Sequence, residues 1–189
     1  MEIKETFYTF SRKDWRAWLK KNHKKKKEVW LIYYRKASGK KRIPYNDAVE
    51  EALCFGWIDS TVKKIDNDSF AQRFTPRRSM SVLSQMNKER IRKLILEKRM
   101  TPVGLAAVSH AFVHNPAHEN SKIPSHILAT IKKNKEAWNH FKKFPESYKR
   151  IRIAYILSQK RHSAEVFKRS LNHFIKMTAK NKRFGFVRE

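Results

Sequence analysis

The sequence predicts an α+β fold: a small antiparallel sheet flanked by helices over residues 1–119, then an all-helical segment over residues 120–189. Three observations carry this expectation. Strand signals cluster between residues 29 and 75, in β-branched and aromatic runs bounded by turn residues. After residue 125 the apolar residues recur only at helical spacing. The 189 residues are 40% hydrophobic and 12% aromatic, enough for a core that needs no disulfide or metal.

Taken in order, Ser11 is placed to cap a first helix, with Asp14 three residues on and Phe10 set to staple onto Trp15. Trp15, Trp18 and Leu19 form its buried stripe. Lys24–Lys27 is a like-charge run that reads as a solvated loop or, alternatively, as a phosphate-contacting one. Val29–Tyr34 is a buried strand, and Ser38-Gly39 breaks the chain after it. Asn46 is placed to cap a short helix with Val49, Ala52 and Leu53 on one face, and Gly56 to close it in a left-handed conformation. Residues 57–65 and 70–75 read as two strands joined through Asp66-Asn67-Asp68-Ser69, with Pro76 stopping the second. Ser81 or Ser84 caps a longer helix carrying Ile91, Leu94 and Ile95. Thr101-Pro102 starts another with Leu105, Val108 and Phe112.

The polar, proline-flanked stretch from Asn115 to Pro124 marks the expected domain boundary. Beyond it, Pro145 suits a first helical position. Tyr148, Ile151, Ala154 and Tyr155, then Phe167, Leu171, Phe174 and Ile175, mark two amphipathic helices. Lys168, Arg169, Lys176 and Lys180 face away from the last stripe, and residues 180–189 read as a basic tail.

The charge is the most prominent compositional feature: 44 Lys and Arg against 17 Asp and Glu, a net +27. Residues 120–189 alone hold 18 basic and 4 acidic residues, a net +14. Such a field attracts polyanions, so nucleic acid is one expected partner; a lysine-rich solvated surface is the plain alternative. No zinc-finger spacing or nucleic-acid-binding motif accompanies it. The start Met1-Glu2-Ile3-Lys4-Glu5 lacks an apolar signal-peptide region, and no run is long enough to span a membrane, so a cytoplasmic protein is expected.

Few residues offer catalytic chemistry. Cys54, the single cysteine, cannot form an internal disulfide and reads as a small buried hydrophobe. His110, His114 and His118 are spaced by four, but Pro116 interrupts them, and surface histidines are the reading preferred to a metal site. Asp59 is an isolated acid with no His or Cys paired to it in sequence. No cofactor, no metal and no catalytic residue is assigned.

Residues 53–87 are the organising stretch: in its segments 53–59, 72–78 and 81–87, aromatics, one carboxylate, three arginines and small hydroxyl residues crowd around two chain breaks. Arg73, Arg77 and Arg78 lie within six residues and repel one another, so at least one should be paired or aimed at an anion. Side chains alternate along a strand. A four-residue turn at 66–69 sets Asp59 and Arg73 on opposite faces; a three- or five-residue turn sets them on the same face, where an ion pair would follow. The free N–H groups and dipole of the helix that starts near Ser81 or Ser84 favour an anion. Arg77, Arg78, Ser81, Ser84 and Asn87 are therefore expected to bound an anion site walled by Trp57, with Asp59, Arg73 and Thr75 beside it.

Ala52-Leu53-Cys54-Phe55-Gly56-Trp57-Ile58-Asp59, Arg73-Phe74-Thr75-Pro76-Arg77-Arg78, Ser81…Ser84…Asn87 and Arg99-Met100-Thr101-Pro102…Gly104-Leu105, in this order, resemble the YdeI/OmpD-associated family, whose bacterial members are often labelled bacteriocin-protection proteins. Phe144-Pro145-Glu146-Ser147-Tyr148 and Lys160-Arg161 are similar to its C-terminal helical module. Leu83 stands where the family usually has Trp, Ser79 where Pro is common, and Lys98 where Gly is usual. The resemblance implies the fold and the boundaries, and the family's names imply antimicrobial-stress protection; no reaction comes with it. The leading expectation is a binding module for a small anionic ligand. Nucleic-acid or polyanion binding is the alternative, and an enzyme of unknown reaction comes third. The oligomeric state is left open.

Overall fold

The computed structural model describes residues 2–112 and 123–185. It divides into two units: Met1–Leu83 with Arg90–His114, and Ser84–Glu89 with Asn115–Glu189. The expected boundary at Asn115–Pro124 falls largely outside the described residues, as do His114, His118, Pro116 and the last residues of the basic tail.

The first unit runs β1 (Thr6–Tyr8), α1 (Arg12–Asn22), β2 (Val29–Tyr34), α2 (Tyr45–Cys54), β3 (Trp57–Lys64) and β4 (Ser69–Pro76). The later turns of α3 (Gln85–Leu96) and α4 (Pro102–Val108) complete it. The four strands lie in the order β1-β2-β4-β3. β2 and β3 each pair antiparallel with β4, but β1 pairs parallel with β2, so the sheet is mixed rather than purely antiparallel. The reason is local. Thr6-Phe7-Tyr8 is too short a run to announce itself as a strand, and α1 supplies the crossover that a parallel pair requires.

One sheet face carries the core. Phe7, Val29, Leu31, Tyr33, Phe70 and Phe74 alternate onto it, and α1 (Trp15, Leu19) and α2 (Val49, Ala52, Leu53) cover it. Ser11 caps α1 as expected, accepting from the Asp14 N–H at 3.2 Å. Phe10 does not staple onto Trp15, however; it is exposed, and Trp15 stacks on Phe7 and Trp18 instead. Nor does Asn46 cap α2, which starts behind Pro44, while the Asn46 side chain accepts from Arg90 at 2.6 Å. Ile91 and Leu94 are buried on α3, but Ile95 is largely exposed. Leu83 is buried in the core.

Two glycines let α4 lie against the end of α2. Gly56 holds φ +72°, and a Cβ there would stand 2.8 Å from the Ala107 methyl. A Cβ on Gly104 would overlap the Cys54 carbonyl, which already accepts the Thr101 hydroxyl at 2.6 Å.

The second unit is helical in its described residues: α5 (Ser125–Lys132), α6 (Lys135–Lys143), α7 (Glu146–Ser158) and α8 (Ala164–Ala179). Asn134 and Ser163 cap α6 and α8 by accepting from Ala137 and Val166 N–H groups. Pro145 sits one residue before its expected position, at the N-cap of α7. Ile127, Ile131, Phe141, Tyr148, Ile156 and Phe174 form the centre of its core, with Phe167 and Ile175 packed alongside. Lys168, Arg169, Lys176 and Lys180 are exposed, as their spacing predicts.

Candidate functional site

The nine residues singled out in the sequence are distributed rather than gathered. Trp57, Asp59, Arg73, Thr75, Arg77, Arg78 and Ser81 belong to the first unit, and Ser84 and Asn87 to the second. Trp57 is buried edge-on to Trp18, with its indole N–H donating to the His23 carbonyl at 3.2 Å. It is core, and presents no ring to a ligand. Ser84 is the α3 cap, accepting from the Asn87 N–H at 3.2 Å.

Asp59 and Arg73 do not pair. Lys64 lies opposite Phe70, so residues 65–69 intervene, and that turn alone would put Asp59 opposite Thr75, on the Arg73 face. A β-bulge between Asp59 and Val62 adds one residue to β3 and shifts Asp59 opposite Phe74. Gln72, buried beneath the bulge, donates to the Ser60 and Thr61 carbonyls at 3.1 and 3.4 Å. On the core face Asp59 accepts the Tyr45 hydroxyl at 2.6 Å. On the other face Arg73 grips Glu28 through Nε and Nη2, which holds the Glu28 carboxyl below the usual range. Thr75 shares that second face, half-buried.

The largest ionic cluster among the described residues lies outside these nine. Arg12 and Arg16, one turn apart on α1, meet Asp47, Glu50 and Glu51 on α2, and Arg99 joins them. Burial pushes the Glu51 carboxyl up, but the hydrogen bonds from Arg12 and Arg16 outweigh it, so its pKa falls below the ordinary value. Three acids within five residues of an otherwise basic chain were the available signal. In the second unit Arg150 is similarly neutralised by both oxygens of Glu89, at 2.7 and 2.8 Å.

Arg77 differs. It is half-buried, and no carboxylate pairs with it among the described residues. Its Nη2 donates to the Ser81 hydroxyl at 2.9 Å and to the Ser81 and Val82 carbonyls at 3.2 and 3.4 Å. Its Nε is buried without a protein partner. Burial alone lowers its pKa from the ordinary guanidinium value. The Ser81 carbonyl also accepts from His110 Nε2 at 3.0 Å, and the Ser81 N–H closes a turn onto the Arg78 carbonyl at 3.2 Å. Met80 is left-handed at the third position of that turn, with φ 59°, and Arg78 is exposed beside it. Arg77 is thus a desolvated cation held by neutral groups, an arrangement that attracts an anion.

Other candidates for chemistry are plainer. Cys54 is buried, which pushes its thiol pKa up rather than activating it. Among the described residues no group of three His, Cys, Asp or Glu could hold a metal, and no helix is long and apolar enough to cross a membrane.

Two family models match the chain. Residues 7–107 match one described as "Domain of unknown function (DUF8412)", and as this covers more than half of the chain, the chain belongs to that family. Residues 120–181 match a second, described as "Bacteriocin-protection, YdeI or OmpD-Associated", which bears out the resemblance to the YdeI/OmpD-associated family in the C-terminal segment. No curated protein and no solved structure matches the chain.

Proposed function

We propose that this protein is a binding module for a small anionic ligand, contacted in its first unit by Arg77 and Arg78. The observation that carries the reading is the contrast among arginines. Arg12, Arg16, Arg73, Arg99 and Arg150 are each neutralised by Asp or Glu, whereas Arg77 is desolvated and has no carboxylate partner among the described residues. An uncompensated half-buried cation is costly to the fold, and a bound anion relieves that cost. The loop is held in place by Ser81, Val82 and His110, so the geometry is prepared before a ligand arrives. A cytoplasmic place and a part in antimicrobial-stress protection belong to the proposal. The printed name of the second matching family supports the latter.

The test is a crystal grown with phosphate, with Arg78→Ala and Arg77→Ala made in parallel. An anion seated on Arg77 and Arg78, and weaker phosphate binding by Arg78→Ala with unchanged stability, are expected. If no anion appears at residues 77–81 and Arg77→Ala loses only stability, the residues are architectural and the proposal fails.

A further inference from the structure

In the helical unit Arg152 too has no carboxylate partner among the described residues, and a cavity lies beside it. The cavity, about 290 Å³, is lined by Arg152 and Tyr155 of α7, Arg169, Ser170 and His173 of α8, and Phe184. The lining contains no acid. The Arg152 guanidinium carbon stands 4.0 Å from the Phe184 ring centroid and 5.0 Å from that of Tyr155, so two rings hold it. Its Nε is buried without a partner among the described residues, and burial lowers its pKa from the ordinary value. Gly185, at φ +95°, clears the space next to it: a Cβ there would stand 3.0 Å from Arg152 Nη1.

Arg169, Ser170 and His173 bring further polar groups to the cavity. Arg169 reaches Glu165 at 2.9 Å, but their side chains are 75% and 80% exposed, and so open a pair yields readily. His173 meets the Phe184 ring edge-on at 4.9 Å, which sets its ring at the cavity wall.

Two guanidiniums, an imidazole and a hydroxyl, with no acid among the described lining residues and only the exposed Glu165 against Arg169, match a doubly charged oxyanion better than a carboxylate, and guanidinium forks suit phosphate oxygens. The volume sits at the low end of ligand cavities, which run from roughly 300 to 1,000 Å³. From this geometry we infer that the cavity binds a phosphate monoester, its phosphate held by Arg152 and Arg169 and its organic part resting on Tyr155 and Phe184. The inference stands apart from the Arg77 reading, since it uses none of the same residues.

The experiment is calorimetric titration of the full chain at fixed ionic strength with adenosine 5′-monophosphate, adenosine and inorganic phosphate. It uses the wild type, Arg169→Gln, Arg152→Lys and Arg78→Ala. The nucleotide should bind saturably and adenosine should not. Arg169→Gln, whose partner is an exposed glutamate, should keep its thermal midpoint and lose about tenfold in nucleotide affinity. Arg152→Lys, which keeps the charge but loses the planar fork, should also weaken binding, and Arg78→Ala should leave it unchanged. Wild-type nucleotide affinity in Arg169→Gln, or heat no larger than adenosine gives, would overturn the assignment. So would equal competition by an oligothymidine without a terminal phosphate, which would make the ligand a nucleic-acid phosphodiester.

Discussion

Asp59 lies opposite Phe74 across the β3–β4 hairpin, and this one-residue register separates it from Arg73. The bulge before Val62 is responsible, and it leaves each residue with a different partner, Tyr45 for Asp59 and Glu28 for Arg73. A double-mutant cycle on Glu28 and Arg73 should therefore give a coupling of about 1 kcal/mol, as contacting charged groups do. The same cycle on Asp59 and Arg73 should give none. Comparable couplings in the two cycles, measured by denaturant unfolding, would mean the two residues share a face.

Glu51 serves three guanidiniums at once, with its side chain 1% exposed. Glu51→Gln leaves Arg12, Arg16 and Arg99 short of their shared carboxylate and should cost about 3 kcal/mol or more. The pH dependence has a definite sign. Glu28 and Glu51 both have lowered pKa values in the folded chain. Their contribution is therefore present above the unfolded value, about 4.3, and is lost as pH falls through the depressed folded value. Urea midpoints of the wild type should fall below pH ~5, and those of Glu51→Gln should fall less steeply. Parallel acid limbs for the two proteins would contradict the assignment.

How much of this was legible in the sequence follows the range of the interaction. Ser11, Thr101, Gly56 and Pro76 act on neighbours a few residues away, and each performs the role its spacing predicts. Asn46, Phe10 and Trp57 went elsewhere because tertiary partners prevail over the local ones: Arg90 for Asn46, the Lys41 ammonium for the exposed Phe10 ring, and the Trp18 ring with the His23 carbonyl for Trp57. β1 was invisible because three residues carry no periodicity. Among the expected site residues, the crowding of Arg73, Arg77 and Arg78 foretold that at least one would be paired or aimed at an anion, and Arg73 is paired, with Glu28. Which of them lacked a carboxylate depended on Glu28, 45 residues from Arg73, and on a bulge that sequence parity cannot see.

The contact between α4 and the end of α2 is a close backbone approach at Gly104. Gly104→Ala should destabilise the first unit by about 3 kcal/mol, because the methyl meets the Cys54 carbonyl rather than a flexible side chain. Gly56→Ala, at a left-handed position facing Ala107, should cost about 1–2 kcal/mol. Thermal unfolding checks both, and a Gly104→Ala midpoint equal to wild type would mean the helices can separate without loss.

Tyr33 buries its hydroxyl without a protein partner, and burial, then the fields of Tyr45 and Asp59, push its pKa above the ordinary phenol value. Tyr33→Phe removes a desolvated group and should be neutral or stabilising by up to about 1 kcal/mol. A loss of stability instead would show that the hydroxyl has a partner worth keeping.

Whether Arg77 is a guanidinium prepared for an anion is read most directly from arginine Nε resonances. In a ¹⁵N-labelled full chain titrated with inorganic phosphate at constant ionic strength, the Arg77 Nε signal should shift and saturate. The signals of Arg12, Arg16 and Arg73, which are already bound to carboxylates, should stay in place. An Arg77 resonance that does not move, or moves only in step with the neutralised arginines, would contradict the claim.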